Sequence, residues 1–323
     1  MKVSQLLSGL LFAICATAAG AQNYPSKPIN MIVSFPAGGA SDQIGRVMAK
    51  EMSINLGQPM IVENVVGVGG SLGVLKLANA NPDGYTITAG SPLELILAPL
   101  GIAAAKNKPE DVRMIARVGN TAMALVTRKD LGVNSVEELI AMMKKADKPM
   151  SYASVGIGSL YHLMAEKFVQ SAGAKGLHVP YNGLAPAITD VVGGRVDFMF
   201  APIAGPVPGF MENASLKSLA VSSVDVQPRF PKLPTMRSIK GFEDYVFNIW
   251  IGIQTGAKVS DAVAATLHKS AYAAMANPET KKALEATGSI VSPALSLAEV
   301  EAFYKRETAA YQAIAKAIKL SPQ

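Results

Sequence analysis

The chain has 323 residues, of which half are apolar and 17% are charged, and its formal net charge is +6. Aromatic residues make up only 6%, and basic residues are mixed with acidic ones, so the composition argues against a nucleic-acid-binding protein, which needs a basic stripe with stacking aromatic side chains. A length above ~300 residues exceeds what one hydrophobic core usually supports and predicts two domains.

The first residues have the features of a secretory signal peptide. Lys2 precedes an apolar run at 6–13 and three small residues at 19–21, which predicts cleavage near Ala21. The run is far shorter than the ~20 apolar residues that span a bilayer. The only cysteine, Cys15, lies inside this leader, so the mature chain is predicted to have neither a disulfide nor a thiol nucleophile. We therefore expect a periplasmic protein.

Strand-like and helix-like patterns alternate along the rest of the chain. In chain order, the predicted elements are strand 29–35, helix 43–56, strand 60–65, helix 71–80, strand 85–90, strand 122–127, a helix from the cap at 135 to 145, strand 150–155, helix 159–172, strand 177–181, helix 185–192, strand 196–200, strand 216–222, strand 246–254, and helices 260–276, 278–286 and 297–318. This order predicts an α/β fold with a parallel sheet.

The same order predicts how the chain divides. We expect the signal peptide at 1–21, a first α/β domain at 22–121 plus 249–323, and a second α/β domain at 122–248, with hinges near 119–120 and 242–248. Ligands of open α/β sheets bind outside the carboxyl ends of the strands. The predicted site is therefore the cleft between the two domains.

Two strand-turn-helix units carry the strongest functional signal. In each, a short apolar strand leads through a glycine-rich turn into an amphipathic helix, and neither turn contains Lys or Arg. Backbone amides at a helix start have no partner inside the helix and together carry roughly half a positive charge, which suits a carboxylate or phosphate. We predict reversible capture of a small anion by main-chain donors. The predicted ligand-binding residues are Pro36, Ala37, Gly38, Gly39, Ala40 and Ser41 in the first turn and Gly156, Ile157, Gly158 and Ser159 in the second.

Two further side chains are predicted to support these turns. A carboxylate at Asp42 would repel a bound anion, so we expect it to accept hydrogen bonds from its own helix amides and to leave the amides of 38–41 for the ligand. His162 lies one turn into the helix after Ser159, and we favour a role in orienting that turn over direct ligand contact. No spacing of His, Asp, Glu or Cys resembles a metal site, so we predict no metal and no cofactor.

One segment fits an enzyme. The letters Gly69-x-Ser71-x-Gly73 match a nucleophile elbow, and Asp197 or Asp261 followed by His268 would complete a triad in the required order. A glycine-rich run matches such a pattern by chance, and the other interpretation is that these glycines form a tight turn and lend amides to the pocket floor. A secreted serine hydrolase that uses Ser71 is thus the alternative function.

A series of motifs in order along the chain resembles a known family. The matching stretches are Tyr24-Pro25-Ser26-Lys27-Pro28-Ile29, Phe35-Pro36-Ala37-Gly38-Gly39 with Ser41-Asp42, Leu56-Gly57-Gln58-Pro59, Pro82-Asp83-Gly84-Tyr85, Tyr152-Ala153-Ser154 with Gly158-Ser159 and His162-Leu163, Val179-Pro180-Tyr181-Asn182-Gly183, and Gly193-Gly194-Arg195-Val196-Asp197. In these stretches the chain resembles the periplasmic solute-binding proteins of tripartite tricarboxylate transporters, the Bug-type receptors.

The resemblance implies a two-domain periplasmic-binding-protein clamshell, type II-like, that closes on a small organic carboxylate. It implies that 36–41 and 156–159 hold one ligand carboxylate, and that Ser91 and Ala201 line the variable half of the pocket. It also implies membrane permease subunits as partners, while a receptor that reports to a membrane kinase stays open as an alternative. We expect the protein to be a monomer. The chain departs from the family pattern at Val65-Val66, where the family usually has Arg-Pro, and in the pocket-side stretch Ser91-Pro92-Leu93-Glu94. If Glu94 faces the cleft, it would select a ligand with a donor or a cation there; otherwise it would face solvent.

Overall fold

The structure, a computed structural model, describes residues 24–181, 183–318 and 320–322, so the predicted signal peptide lies outside the described residues. The strands are β1 (Ile29–Val33), β2 (Met60–Asn64), β3 (Thr86–Gly90), β4 (Val112–Arg128), β5 (Met150–Ser154), β6 (Gly176–Pro180), β7 (Phe198–Pro202), β8 (Leu216–Val221), β9 (Asn248–Gly256) and β10 (Ile290–Val291). The helices are α1 (Ala40–Leu56), α2 (Ser71–Ala78), α3 (Ala98–Gly101), α4 (Val136–Lys145), α5 (Leu160–Ser171), α6 (Leu184–Val192), α7 (Val207–Glu212), α8 (Asp261–Ala276), α9 (Pro278–Ala286) and α10 (Leu297–Ala317). A π-helical stretch, Leu93–Leu97, precedes α3. None of the described helices has both the length and the apolar character needed to cross a bilayer.

All ten strands belong to one sheet in the order β2-β1-β3-β9-β4-β7-β5-β6, with β8 and β10 also paired to β4. The long strand β4 holds the sheet together, because its residues 112–122 pair with β9 and its residues 123–128 pair with β7 and β8. We call β2-β1-β3-β9 with β10 the first half of the sheet, and β7-β5-β6 with β8 the second half. The α/β class predicted from the sequence is confirmed, whereas the predicted domain limits stay a prediction.

The prediction of a parallel sheet was right only in part. Strand β1 runs parallel to β2 and β3, and β5 runs parallel to β6 and β7. However, β9 is antiparallel to both β3 and β4, and β4 is antiparallel to β7 and β8. Strand direction at these places depends on pairing between segments far apart in the chain, such as Ile87 with Thr255, which local periodicity does not report.

The sequence also missed the first ten residues of β4. The pairing of β4 with β9 shifts register between Met114 and Ala116 and again between Arg117 and Gly119. Such bulges place two residues of one strand opposite one residue of its partner, so they break the alternation of apolar and polar positions. The predicted strand, 122–127, coincides with the stretch of β4 in which every residue is buried, so its apolar run is visible without any alternation.

Two buried apolar clusters flank the sheet. One contains Met31, Met48 and Leu267 and packs β1 against α1 and α8. The other contains Phe168 on α5, whose ring meets those of Phe198 and Phe200 at centroid distances of 5.7 and 5.9 Å in edge-to-face geometry. Because helices α1 and α5 are held rigidly in these clusters, the turns that precede them are held in place too.

Candidate functional site

The first glycine-rich turn connects β1 to α1. Helix α1 begins at Ala40, three residues earlier than the sequence predicted, and its N-cap Gly39 (φ −73°, ψ 169°) supplies no side-chain cap. In the described chain, the backbone amides of Ala40, Ser41 and Asp42 have no acceptor. The start of α1 therefore presents unpaired donors, as an anion site of this kind requires.

Asp42 supports this turn through contacts that differ from those expected. Its carboxylate is 3% exposed and accepts from the Gly38 backbone N at 2.8 Å, from Arg46 Nε at 2.9 Å and from Asn64 Nδ2 at 2.9 Å. The expectation that Asp42 binds the amides of its own helix was wrong, and the amide of Gly38 is occupied rather than free. The hydrogen bond from Arg46 lowers the pKa of Asp42 to about 2, and burial opposes this shift.

We expect Asp42→Ala to destabilise the protein by ~1–3 kcal/mol and to weaken ligand binding several-fold, because the Gly38 amide and the Asn64 side chain lose the buried carboxylate that fixes the turn. Since the folded pKa of about 2 lies below the ordinary value of 3.8, the stabilisation by Asp42 is complete above pH ~4 and is lost as the pH falls toward 2. Denaturant unfolding and calorimetry measure both effects, with the exposed Asp147→Ala as control. Equal affinity in wild type and Asp42→Ala would contradict the supporting role.

The second turn connects β5 to α5 and is closed by its own hydrogen bonds. Ser159 is the N-cap of α5, and its Oγ accepts from the His162 backbone N at 3.3 Å and donates to the Gly156 carbonyl at 2.7 Å. The Gly156 N donates to Ser154 Oγ at 3.1 Å, and the Ser159 N donates to the Gly156 carbonyl at 3.3 Å. Two of the four predicted residues, Gly156 and Ser159, thus hold the turn together.

His162 lies directly behind this turn. Its Nδ1 accepts from the Gly158 N at 3.1 Å, and its ring stacks on His178 with centroids 4.0 Å apart. Burial lowers the pKa of His162, and burial together with the neighbouring His162 lowers the pKa of His178 to about 4. Both rings are therefore neutral at pH 7, and the unprotonated Nδ1 of His162 is available to accept from Gly158. This contact is the one that an orienting role requires, and the role stays a prediction.

These contacts narrow the set of main-chain donors at the second turn. The amides of Gly156, Gly158 and Ser159 are occupied within the turn, so the expectation that the whole segment offers its amides was wrong. As far as the structure describes the chain, the free amides are those of Ile157 and of Leu160 and Tyr161 in the first turn of α5. The sequence missed the last two, although the Ser159-x-x-His162 cap marks them as the helix start.

A cavity of about 210 Å³ lies between chain segments that adjoin the two halves of the sheet. From the first half it is lined by Phe35, Gly69, Leu93, Leu97, Ala98, Gly101 and Ile102, and from the second half by Val155, Ile157, Gly158 and Ser159. The structure thus brings three residues of the second predicted turn together with Phe35, the residue before the first turn. Gly69 contributes to the lining, in keeping with the interpretation of this glycine run as part of the pocket floor. The remaining predicted residues of both turns, 36–41 and Gly156, are not part of the lining.

The two predicted residues of the variable half lie away from this cavity. Ser91 is 1% exposed, and it donates from its backbone N and from its Oγ to the carboxylate of Glu94 at 2.8 and 2.5 Å. Ala201 is fully buried in β7 opposite Ala124 of β4. Glu94 is 0% exposed, so it faces neither the cleft nor solvent, and burial raises its pKa to about 7.

The residues of the hydrolase alternative do not assemble. Ser71 is 0% exposed and its Oγ has no hydrogen-bond partner among the described residues. His268 Nδ1 lies 2.7 Å from the Ile115 carbonyl, while Asp197 pairs with Arg128 and Asp261 pairs with Arg113. A serine nucleophile needs a base within hydrogen-bond distance of its hydroxyl, and Ser71 has no such base among the described residues. Within the described residues there is also no group of three side chains suited to hold a metal ion.

Comparison with known proteins gives a consistent result. Residues 44–320 match the model of the tripartite tricarboxylate transporter family receptor. The protein BugT of Bordetella pertussis is 32% identical over 301 residues, which cover 89% of this chain and 90% of BugT. A solved TctC solute binding protein from Polaromonas is 28% identical with a TM-score of 0.79 and covers 91% of this chain and 99% of its own. An R. palustris protein solved with adipate shares the fold at 24% identity and a TM-score of 0.77, covering 93% of this chain and 100% of its own.

Proposed function

The chain belongs to the tripartite tricarboxylate transporter receptor family and has the two-domain fold of periplasmic binding proteins, and from this premise we propose that it captures a small organic carboxylate and delivers it to the membrane permease of a tripartite transporter. The receptors of this family are solute-binding proteins of the periplasm rather than enzymes. For this chain we propose binding and release without bond chemistry.

The observation that supports this proposal is the pair of helix starts. Free amides lie at Ala40 and Ser41 of α1 and at Leu160 and Tyr161 of α5, and the chain segments that precede both helices border one cavity. A carboxylate can accept from several of these donors at once. Hydrogen bonds to a charged group contribute ~1.5–3 kcal/mol each, so four of them correspond to ~6–12 kcal/mol before ordering costs. This is enough for roughly micromolar capture.

Neutral donors also suit a carrier. No Lys or Arg side chain belongs to either turn or lines the cavity. An anion that is bound without a full counter-charge forms no strong ion pair with the protein. No such ion pair then has to be broken when the two halves separate. Release to the permease then needs only that separation.

A panel of carboxylates tests the proposal. We expect at least one small carboxylate to raise the melting temperature, because a ligand at ~100 times its dissociation constant adds ~2.7 kcal/mol of stability. Calorimetry on that ligand should then give saturable binding without turnover. Ester hydrolysis that disappears in Ser71→Ala would overturn the proposal in favour of the hydrolase. Co-purification of the loaded protein with a sensor kinase instead of a permease would overturn the delivery step alone.

A further inference from the structure

The side chains that line the cavity are almost entirely apolar. Apart from glycines and alanine, they are those of Phe35, Leu93, Leu97, Ile102, Val155 and Ile157, together with Ser159. The Ser159 hydroxyl already donates to the Gly156 carbonyl and accepts from the His162 N. The lining therefore has no charged side chain and no free hydroxyl for a second polar group on the ligand.

An acid lies behind this lining on the side of the first half. Glu94 lies in the π-helical stretch whose Leu93 and Leu97 face the cavity, and an added Cβ at Gly70, the residue after the lining Gly69, would lie 2.5 Å from Glu94 Cβ. Ser91 cannot reach a ligand with a donor, because both its N and its Oγ donate to Glu94. A second ligand carboxylate on this side would thus lie close to a buried acid, and no side chain of the lining supplies a cation or a free hydroxyl to compensate.

We propose that the ligand is a monocarboxylate with an apolar body, the size of one aromatic ring or a short hydrocarbon chain, and that this chain discriminates against dicarboxylates. The inference rests on the proposed carboxylate capture and adds the substrate class. An apolar protein cavity of ~150 Å³ accommodates a benzene ring, so about 210 Å³ leaves room for a ring and part of the attached carboxyl group. The helix-start amides bind the carboxylate, and the leucines and isoleucines bind the body.

Matched pairs of ligands separate this inference from the proposed function. Hexanoate and adipate have the same chain length and differ in one carboxylate, and benzoate and terephthalate form the aromatic pair; hexanamide and benzamide lack the charge. By calorimetry at pH 7.5 we expect a monocarboxylate to bind at least ~10-fold more tightly than its dicarboxylate partner. Tighter binding of adipate or terephthalate would overturn the inference and leave the proposed capture standing. Amides that bind as tightly as the acids would overturn both.

Two substitutions in the lining give a second test. Leu93→Arg places a cation at the lining and should reverse the preference, so that adipate binds more tightly than hexanoate. If that variant does not fold, Leu93→Ala serves, since it removes apolar contact and should weaken hexanoate at least ~5-fold with little change for adipate. The exposed Leu177→Ala on β6 is the matched control and should change neither affinity. Equal losses for both ligands in Leu93→Ala would overturn the assignment of the apolar body to this lining.

Discussion

Gly101→Ala is expected to weaken ligand binding at least ~30-fold while changing the stability of the folded chain little. A Cβ at Gly101 would lie 2.8 Å from the Cα of Gly158, closer than such atoms approach in proteins, and the obstacle is backbone rather than a flexible side chain. Gly101 ends α3 in the first half, and Gly158 belongs to the turn of the second half. The two halves must therefore move apart to admit the methyl group.

Separation at this point opens the cavity, because both glycines line it. The amides on the two sides can then no longer reach one carboxylate together, and a loss of ~30-fold corresponds to ~2 kcal/mol, about one charged hydrogen bond. Calorimetry with the best ligand of the panel measures this loss, and thermal unfolding measures stability. Gly209→Ala on α7 is the control, since an added Cβ there meets nothing within 4 Å. An unchanged dissociation constant in Gly101→Ala would show that binding does not need this close approach.

The second large effect concerns Glu94. We expect Glu94→Gln to stabilise the protein by about 3 kcal/mol at pH 8 and to have little effect near pH 4.5. The carboxyl is fully buried, which raises its pKa from the ordinary 4.5 to about 7, although the hydrogen bonds from Ser91 oppose the shift. The gap between these values corresponds to ~3 kcal/mol.

The sign follows from proton binding. Between pH 4.5 and 7 the unfolded chain releases the Glu94 proton and the folded chain keeps it, so the wild type loses stability as the pH rises through this range. Above pH 7 the loss is complete. A glutamine stays neutral at every pH and can still accept from the Ser91 N, so it avoids the loss. Urea unfolding at the two pH values measures the difference, with the exposed Glu137→Gln as control. An equal effect at both pH values would contradict a raised pKa at Glu94.

Much of the architecture could be predicted from local patterns. Strands β1, β2, β3, β5 and β6 lie within two residues of their predicted limits, and the predicted helix ends at Leu56, Lys145 and Val192 agree with the structure. The two glycine turns were recognised as helix starts because glycines, a capping serine and helical periodicity are all local signals. The order of motifs along the chain also identified the family, which the comparisons confirm.

Tertiary contacts decided which groups at the turns are free. The Asp42 carboxylate accepts hydrogen bonds from Gly38, Arg46 and Asn64. The His162 ring accepts a hydrogen bond from Gly158 and stacks on His178. The two helix starts could be predicted to within three residues, but the partners of each amide could not, because a turn of four residues can distribute its donors in several ways. Asn64 and His178 come from neighbouring strands, and only the folded sheet brings them there.

The character of the cavity was likewise settled by the fold. Local sequence determined that this chain is an α/β protein in which two glycine-rich turns lead into helices, since such features depend on residues a few positions apart. It did not determine that Glu94 and Ser91 bind each other in the interior, that Ala201 pairs with Ala124 of β4 inside the sheet, or that Leu93, Ile102 and Val155 share one apolar lining. Those outcomes depend on which side chains meet after distant segments pair, and the free energy of that pairing is spread over the whole sheet rather than over any short stretch of residues.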